Sequence, residues 1–517
     1  MKEQQEKYNL PEGWIWTTIG DIAILSSGGT PDRGNRSYFN GDIPWVKSGE
    51  LNRGIITKTE ENITLEALEN SSAKIVPSGT LLIALYGSTV GKLAFLGINA
   101  TTNQAVAALK TTNSFESKYL YYYLLHNRER LLQKRVGGAQ PNISLKILQI
   151  FPIPLASLFE QKIVVRQIES LFSKLDEAEK GLRISNYGLK IYRQALLKDA
   201  FTGKLTNKNV IEGKLPDGWK IIKISTISNV VRGGSPRPAG DLRYYEGNIP
   251  FLKVKDLTKD EKVHLTTFEY TIKEAGLVKT RIIRPGTLLL SNSGATLGIP
   301  KICLIDSTIN DGIAAFLDLD DRSIYYLYYF FLFNTQKLRD MSMGATQPNL
   351  NTTIIKNIKL PYCSFDEQKH VVEIIESRFT LVENLEKTVN SVLNEITALR
   401  HSILKKAFEG KLVNYTSDES VENLLKNIQK EKRLYLENQK ELNRSKPKQN
   451  KKMEEKKSIL NILKESNLPI SAQVLWEKST SEGDIERFYS EIKEIYDQID
   501  ELKSETESLL TLKDENK

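Results

Sequence analysis

The 517-residue chain repeats itself at the spacing of a whole domain. Gly79-Thr80-Leu81-Leu82 returns as Gly286-Thr287-Leu288-Leu289, and Gln140-Pro141-Asn142 as Gln347-Pro348-Asn349. Glu160-Gln161-Lys162 returns as Glu367-Gln368-Lys369, and Ala200-Phe201-Thr202-Gly203-Lys204-Leu205 as Ala407-Phe408-Glu409-Gly410-Lys411-Leu412, each 207 residues later. Solenoid repeats run about 20 to 50 residues, so a period this long is a globular domain plus a long element. The chain must fold as two copies of one unit in tandem. The openings Leu10-Pro11-Glu12-Gly13-Trp14 and Leu215-Pro216-Asp217-Gly218-Trp219 lie 205 apart, and Ile43-Pro44-Trp45 and Ile249-Pro250-Phe251 lie 206 apart. Length changes between Pro31 and Pro44 and between Leu51 and Ala73 therefore mark loops that tolerate insertion.

Up to the Gln-Pro-Asn sites each copy is written in short β-type runs, such as Thr80–Ala84 and Thr287–Leu290, punctuated by Gly, Pro, Asn and Ser. This predicts an α+β globule. The next stretch changes character: Ser157 with Glu160, and Ser364 with Glu367, are spaced as capping boxes that start a helix. Val164, Ile168, Leu171, Leu175, Ala178, Leu182, Ser185, Leu189, Tyr192 and Leu196 then follow the a/d rhythm of a coiled coil. Val371, Ile375, Arg378, Val382, Leu385, Val389, Val392, Ile396, Leu399 and Ile403 repeat it, with Phe379 beside the charged intruder Arg378. Gly203 and Gly410 are placed to end the helices in the left-handed conformation. Each helix would run on the order of 65 Å. Two seams in one chain bury each other most simply as an antiparallel pair about a pseudo-two-fold axis, a brace that fixes the distance between two globules.

A formal charge of +8 and a pI near 9.0 favour an anionic partner such as nucleic acid. Two cysteines, Cys303 and Cys363, leave no disulfide framework and fit a reducing compartment. The start, Met1 to Lys7, is too charged for a secretory signal. The longest apolar run, Ile324 to Phe333, is about half of what a membrane helix needs. It and its counterpart Tyr119 to Leu125 are predicted as buried helices, and the protein as cytoplasmic. Gly87-Ser88-Thr89-Val90-Gly91-Lys92 imitates a phosphate-binding loop but has three residues between its glycines instead of four, and Leu93 after its lysine. Neither an Asn-Pro-Pro-Tyr or Asp-Pro-Pro-Tyr string nor a Gly-x-Gly-x-x-Gly fingerprint occurs. His126, His264, His370 and His401 lack metal-ligand spacing. Glu160-x-Lys162 and Glu367-x-Lys369 suggest a nuclease only superficially, because both belong to capped helix starts.

Globule, long helix, globule, long helix is a layout that resembles the specificity subunit of type I restriction-modification systems. The resemblance covers residues 8 to 413. It is carried by Gly29-Thr30-Pro31 and Gly234-Ser235-Pro236, Ile43-Pro44-Trp45-Val46-Lys47, Tyr86 to Lys92, Thr102-Asn103-Gln104, Gly138 to Ile143 and the paired Ala-Phe-x-Gly-Lys-Leu helix ends. It implies a non-catalytic subunit with two target recognition domains (1–156 and 207–363), each reading half of a split double-stranded DNA site. Spacer helices (157–206 and 364–413) would separate them and dock two methyltransferase subunits, with restriction subunits joining the complex. No cofactor is expected on this chain; S-adenosylmethionine, ATP and magnesium would serve the partners, and no membrane is involved. The second copy departs from the pattern: Gly294-Ala295-Thr296-Leu297-Gly298-Ile299 lacks the counterpart of Lys92, and Asn310-Asp311-Gly312 replaces Asn103-Gln104-Ala105. Two such different domains imply an asymmetric target.

Reading DNA takes bidentate donors for guanine, amides for adenine and cations for phosphates. Arg33, Arg36, Lys47, Lys92, Gln140 and Asn142 are the candidates in the first copy, and Arg232, Arg237, Arg243, Lys253, Lys255, Gln347 and Asn349 in the second. Arg33, Arg36, Arg237 and Arg243 sit where the copies differ most and suit base contacts; Lys47 and Lys253 sit in a shared motif and suit phosphates. The bland alternative is solvated loop charge, with Gln-Pro-Asn as a turn. Beyond the repeat, residues 414–457 read as a charged linker, of which 421–457 is a solvated linker or marginal helix. Residues 458–517 read as a small helical or winged-helix-like module of three helices, Ser458–Ser466, Ser471–Ser479 and Asp484–Leu510, for partner docking or auxiliary DNA binding. Two rival functions are a stand-alone nucleotide-dependent nuclease and a coiled-coil scaffold that reads no sequence.

Overall fold

A computed structural model describes residues 9–134, 142–211, 213–294, 296–342, 349–414, 419–445, 457–466, 468–481, 485–503 and 508–513. The chain forms two compact units, Met1–Ile428 and Gln429–Lys517. In the first unit the repeat becomes two α+β domains of one topology. The five-stranded sheet of the first runs Ala23–Ser27, Val106–Thr111, Leu81–Ala84, Leu93–Leu96, Ile55–Ile56. That of the second runs Asn229–Arg232, Ile313–Leu317, Thr287–Ser291, Pro300–Cys303, His264–Leu265 in the same order. Each domain adds a smaller sheet centred on Phe39–Val46 or Tyr245–Leu252. The opening strand, Ile15–Thr18 or Lys220–Lys223, pairs antiparallel with the strand just before the long helix.

The tyrosine-rich runs are buried helices as expected, α1 (Ser117–His126) and α3 (Ile324–Ser342). Tyr119 and Tyr326 bury their rings and each donates its hydroxyl to a proline carbonyl, Pro154 and Pro361, so the phenol is satisfied inside the core. The long helices are α2 (Leu158–Thr202) and α4 (Phe365–Phe408). Gln161 and Gln368, both fully buried, explain the repeated Glu-Gln-Lys: each bridges the helix start to the segment opening α1 or α3, through Glu116 N–H or Ser323 Oγ. The capping box is complete on α2. On α4 Ser364 accepts from Glu367 N–H, but the Glu367 carboxylate turns to Thr206 and Asn207. The turn leaving α2 supplies those two donors.

α2 and α4 run antiparallel, and their register is set by two clamps. Arg193 pairs with Glu386 at 2.9 Å and lies over Phe379, while Arg400 pairs with Glu179 and Asp176 and lies over Phe172. Arg193, Phe172 and Glu179 each have their twin 207 residues on. Val164, Ile168, Leu196, Val371, Ile375 and Val382, where the helices meet the globules, are buried, and so is Ile396 between the clamps. Leu175, Leu182, Leu189, Val389 and Ile403 are half-buried, and Leu385 is 53% exposed, so it does not seal the seam as its heptad position predicts.

Each helix finishes in the domain it did not start from. Phe201 packs edge-on against Tyr326 and Phe330 of the second domain; Phe408 packs against Tyr119 and Tyr123 of the first. Gly203 (φ 79°) and Gly410 (φ 68°) take the left-handed conformation. They also let the chain pass Pro216 and Pro11, which a Cβ would meet at 2.2 and 2.0 Å.

The stretch read as a charged linker contains a helix, α5 (Val421–Ser445), whose Val421, Leu424 and Ile428 join the first domain's core at helical spacing. The tail also departs from expectation. α6 (Ile459–Glu465), a short strand Ile470–Ser471 and α7 (Ala472–Lys478) precede α8 (Ile485–Glu494). The third predicted helix stops there, and Ile499–Lys503 and Ser508–Leu512 form a hairpin in a three-stranded sheet. Leu510, Thr511 and Leu512 alternate as a strand requires. The order of helices and strands is that of a winged helix around Ile459, Leu463, Leu475, Phe488, Ile499 and Leu510. Among the described residues no helix is long and apolar enough to cross a membrane.

Candidate DNA interface

In both domains glycine pairs bring one loop hard against a strand end. A Cβ on Gly28 would sit 2.1 Å from the Thr102 carbonyl, and one on Gly233 2.1 Å from that of Asn310. This places Thr30 over the Asn103-Gln104 turn and Ser235 over the Asn310-Asp311 turn: Gln104 N–H reaches Thr30 Oγ1 at 3.5 Å, and Ser235 Oγ donates to Asp311 at 2.7 Å. Backbone bonds join the next loops. Leu85 N–H donates to Ala105 and Ile143 N–H to Leu85; in the second copy Asn292 donates to Gly312 and Leu350 to Asn292. The variable loops, the shared turn and the segments after the Gln-Pro-Asn sites therefore converge at one end of each sheet.

Most of the candidate cations have a fixed partner. Arg33 and Lys47 both reach Glu61, at 2.8 Å each, and the Arg33 guanidinium lies 4.9 Å from the Phe39 and Trp45 rings. The Lys47 ammonium is held above its usual pKa chiefly by its bond to Glu61, and the Glu61 carboxyl below its own by that to Lys47. In the second domain Tyr270 stands at the position of Glu61, and Lys253 Nζ sits 3.3 Å from its ring centre. Lys255 pairs with Glu269, and Arg243 makes a forked contact with Asp241. Arg232 Nε donates to the Asp311 carbonyl, while Arg237 lies 3.6 Å from the Asp311 carboxylate.

Arg36 is exposed at the start of a short turn and Lys92 is half-exposed. Asn142 is exposed, whereas Asn349 is half-buried and bridged to Ser293. Gln140 and Gln347 lie outside the described residues. In the loop that imitates a phosphate site, the Val90 carbonyl accepts from Arg128, whose side chain also packs on Gly91. Gln104 and Asp311, which the sequence marks only as a difference between the copies, and Glu61, which it does not mark, also belong to this loop cluster. Asn292 was not marked either: it is fully buried where the first domain has Leu85, with neither amide atom hydrogen-bonded among the described residues. Departure of one copy from the other was the signal available for each.

Paired globules with polar loops at their sheet ends, held apart by an antiparallel helix pair, define a two-headed nucleic-acid reader. The profile of the type I restriction modification DNA specificity domain matches twice, over residues 11–185 and 216–395, and the chain belongs to that family. The MjaIX specificity subunit of Methanocaldococcus jannaschii is 25% identical over 422 residues, 78% of this chain and 94% of that one. The EcoBI subunit of Escherichia coli is 27% identical over 336 residues, 60% and 69%. The crystal structure of the HsdS subunit from Thermoanaerobacter tengcongensis shares the fold, with a TM-score of 0.55, 20% identity and 79% of this chain against 99% of that one. A chain from a structural study of type I complex assembly and conformational transition superposes at 0.63, with 21% identity and coverage of 78% and 100%.

Proposed function

We propose that this chain is the DNA sequence-specificity subunit of a type I restriction-modification complex, non-catalytic itself, reading an asymmetric bipartite site. The observation that carries this is the division within the repeat. Helix ends, clamps and buried glutamines keep their 207-residue spacing, while the loops that converge at the sheet ends differ in length and charge. A kept frame with divergent reading loops is what two half-sites of unlike sequence require. The pseudo-two-fold helix pair offers equivalent docking surfaces to two methyltransferase subunits, and restriction subunits join through them. Those partners bring S-adenosylmethionine, ATP and magnesium, and the assembly works in the cytoplasm. Residues 458–517 carry seven Lys and Arg against fourteen Asp and Glu, a balance that repels a polyanion and suits protein docking.

Methylome mapping of cells expressing the chain with its methyltransferase tests this. A split, non-palindromic methylated site is expected, and exchanging residues 10–152 for those of a relative should change one half only. An unsplit palindrome would refute the reading.

A further inference from the structure

The turn after the last paired strand of the first domain's small sheet, and its twin in the second, hold one position where the two differ in kind. Each turn closes by a backbone bond, Val106 to Asn103 or Ile313 to Asn310, and each places its second residue under the hydroxyl of the Gly-Thr-Pro or Gly-Ser-Pro loop. That residue is Gln104 in one domain and Asp311 in the other. The loop above changes with it: after the shared proline, the first copy has Asp32 and the second Arg237. Asp32 is exposed and accepts from Gly34 N–H within its own loop, and Gln104 is exposed with no side-chain hydrogen bond among the described residues. In the second domain the Asp311 carboxylate, fixed by Ser235, faces Arg237, whose side chain is 71% exposed.

Building on the DNA-reading function proposed above, we infer that this turn, where the second copy departs from the Thr-Asn-Gln motif, determines one base in the second domain's half-site. Asp311 is a positioning residue: its carboxylate, fixed by Ser235, draws the Arg237 guanidinium to the turn by charge at 3.6 Å, and Arg237 reads guanine O6 and N7.

The full chain, assembled with its methyltransferase partner, is compared by methylome mapping as wild type, Asp311→Asn, Arg237→Ala and the double variant. Asp311→Asn and Arg237→Ala should relax the same guanine in the second domain's half-site by about tenfold to a hundredfold, and the double variant no further. Relaxation at two different positions, or unchanged selectivity in the folded Arg237→Ala complex, would overturn the inference even if Asp311→Asn failed to assemble. A wild-type complex without a split site would instead remove the function on which it rests.

Discussion

His126 shows how far one side chain departs from its twin without disturbing the frame. It stacks on Phe408 at 6.1 Å, as Phe333, 207 residues on, stacks on Phe201 at 5.9 Å. The imidazole Nδ1 is buried without a hydrogen bond among the described residues, and burial pushes its pKa down. Charge on nearby His401 and Lys405 pushes the same way, and Glu409 opposes them. The folded state thus keeps the ring neutral, and unfolding below the free-histidine pKa of about 6.5 takes up a proton. Stability from this group is complete above that pH and is lost as pH falls through it. The melting temperature should therefore drop on acidification from pH 7.5 to 5.5, and His126→Phe should flatten that slope; an unchanged slope would exclude His126 as its source. The same substitution restores the pairing of the second domain. Sequence alone gave no hint of this, since a lone histidine in a tyrosine-rich helix does not reveal which aromatic ring arrives from 282 residues away. The acidic partners of Arg33 and Lys47 were hidden for a like reason: Glu61 meets them only because its strand pairs with Phe39–Val46.

Elements were more legible, and the reason is locality. Capping residues and heptads act within one turn or two, so α2 and α4 were readable to within a residue or two from Ser157, Ser364 and the a/d rhythm. What escaped depended on distant partners: the Glu367 carboxylate turned away, and α5, readable from its charged majority only as linker or marginal helix, docks its first turns on the first domain's core. The hairpin of the tail was read as helix because Asp484 to Leu510 carries apolar residues at mixed spacings, and short apolar runs do not separate helix from strand. Helix ends matter most for energy. Phe201 and Phe408 are buried among aromatic rings of the opposite domain, so Phe→Ala at either should cost about 3–5 kcal/mol. Urea unfolding should show that loss for Phe408→Ala. If Phe408→Ala cost less than ~1 kcal/mol, the docking of α4 on the first domain would not be an anchor.

At the scale of the molecule the crossed helix ends make a closed circuit: α2 leaves the first domain and anchors in the second, and α4 returns. The tail stands outside that circuit. A chain ending at Ile428 keeps both domains, both helices and the packed start of α5, so its methylated sequence should match that of the full chain; an altered sequence would mean the acidic module reads DNA after all. Closure also turns the helix pair into a ruler. Between the clamps, α2 offers Lys180 to Tyr192 and α4 offers Lys387 to Leu399, stretches of equal length that face each other antiparallel. Deleting Lys180–Asn186 together with Lys387–Leu393 keeps both clamps in register and rotates the helix faces by only about 20° per heptad. It shortens the frame by about 10 Å, roughly three base pairs of duplex. Half-sites three base pairs out of place also face about 100° away, given a helical repeat of some 10.5 base pairs, so the two domains can no longer engage together. Simultaneous binding contributes through effective concentration and vanishes when geometry forbids it. The shortened chain should lose methylation of the wild-type sequence, and its affinity for the full site should fall to that for DNA bearing one half-site. Continued methylation of the original site would show that something other than these helices sets the spacing.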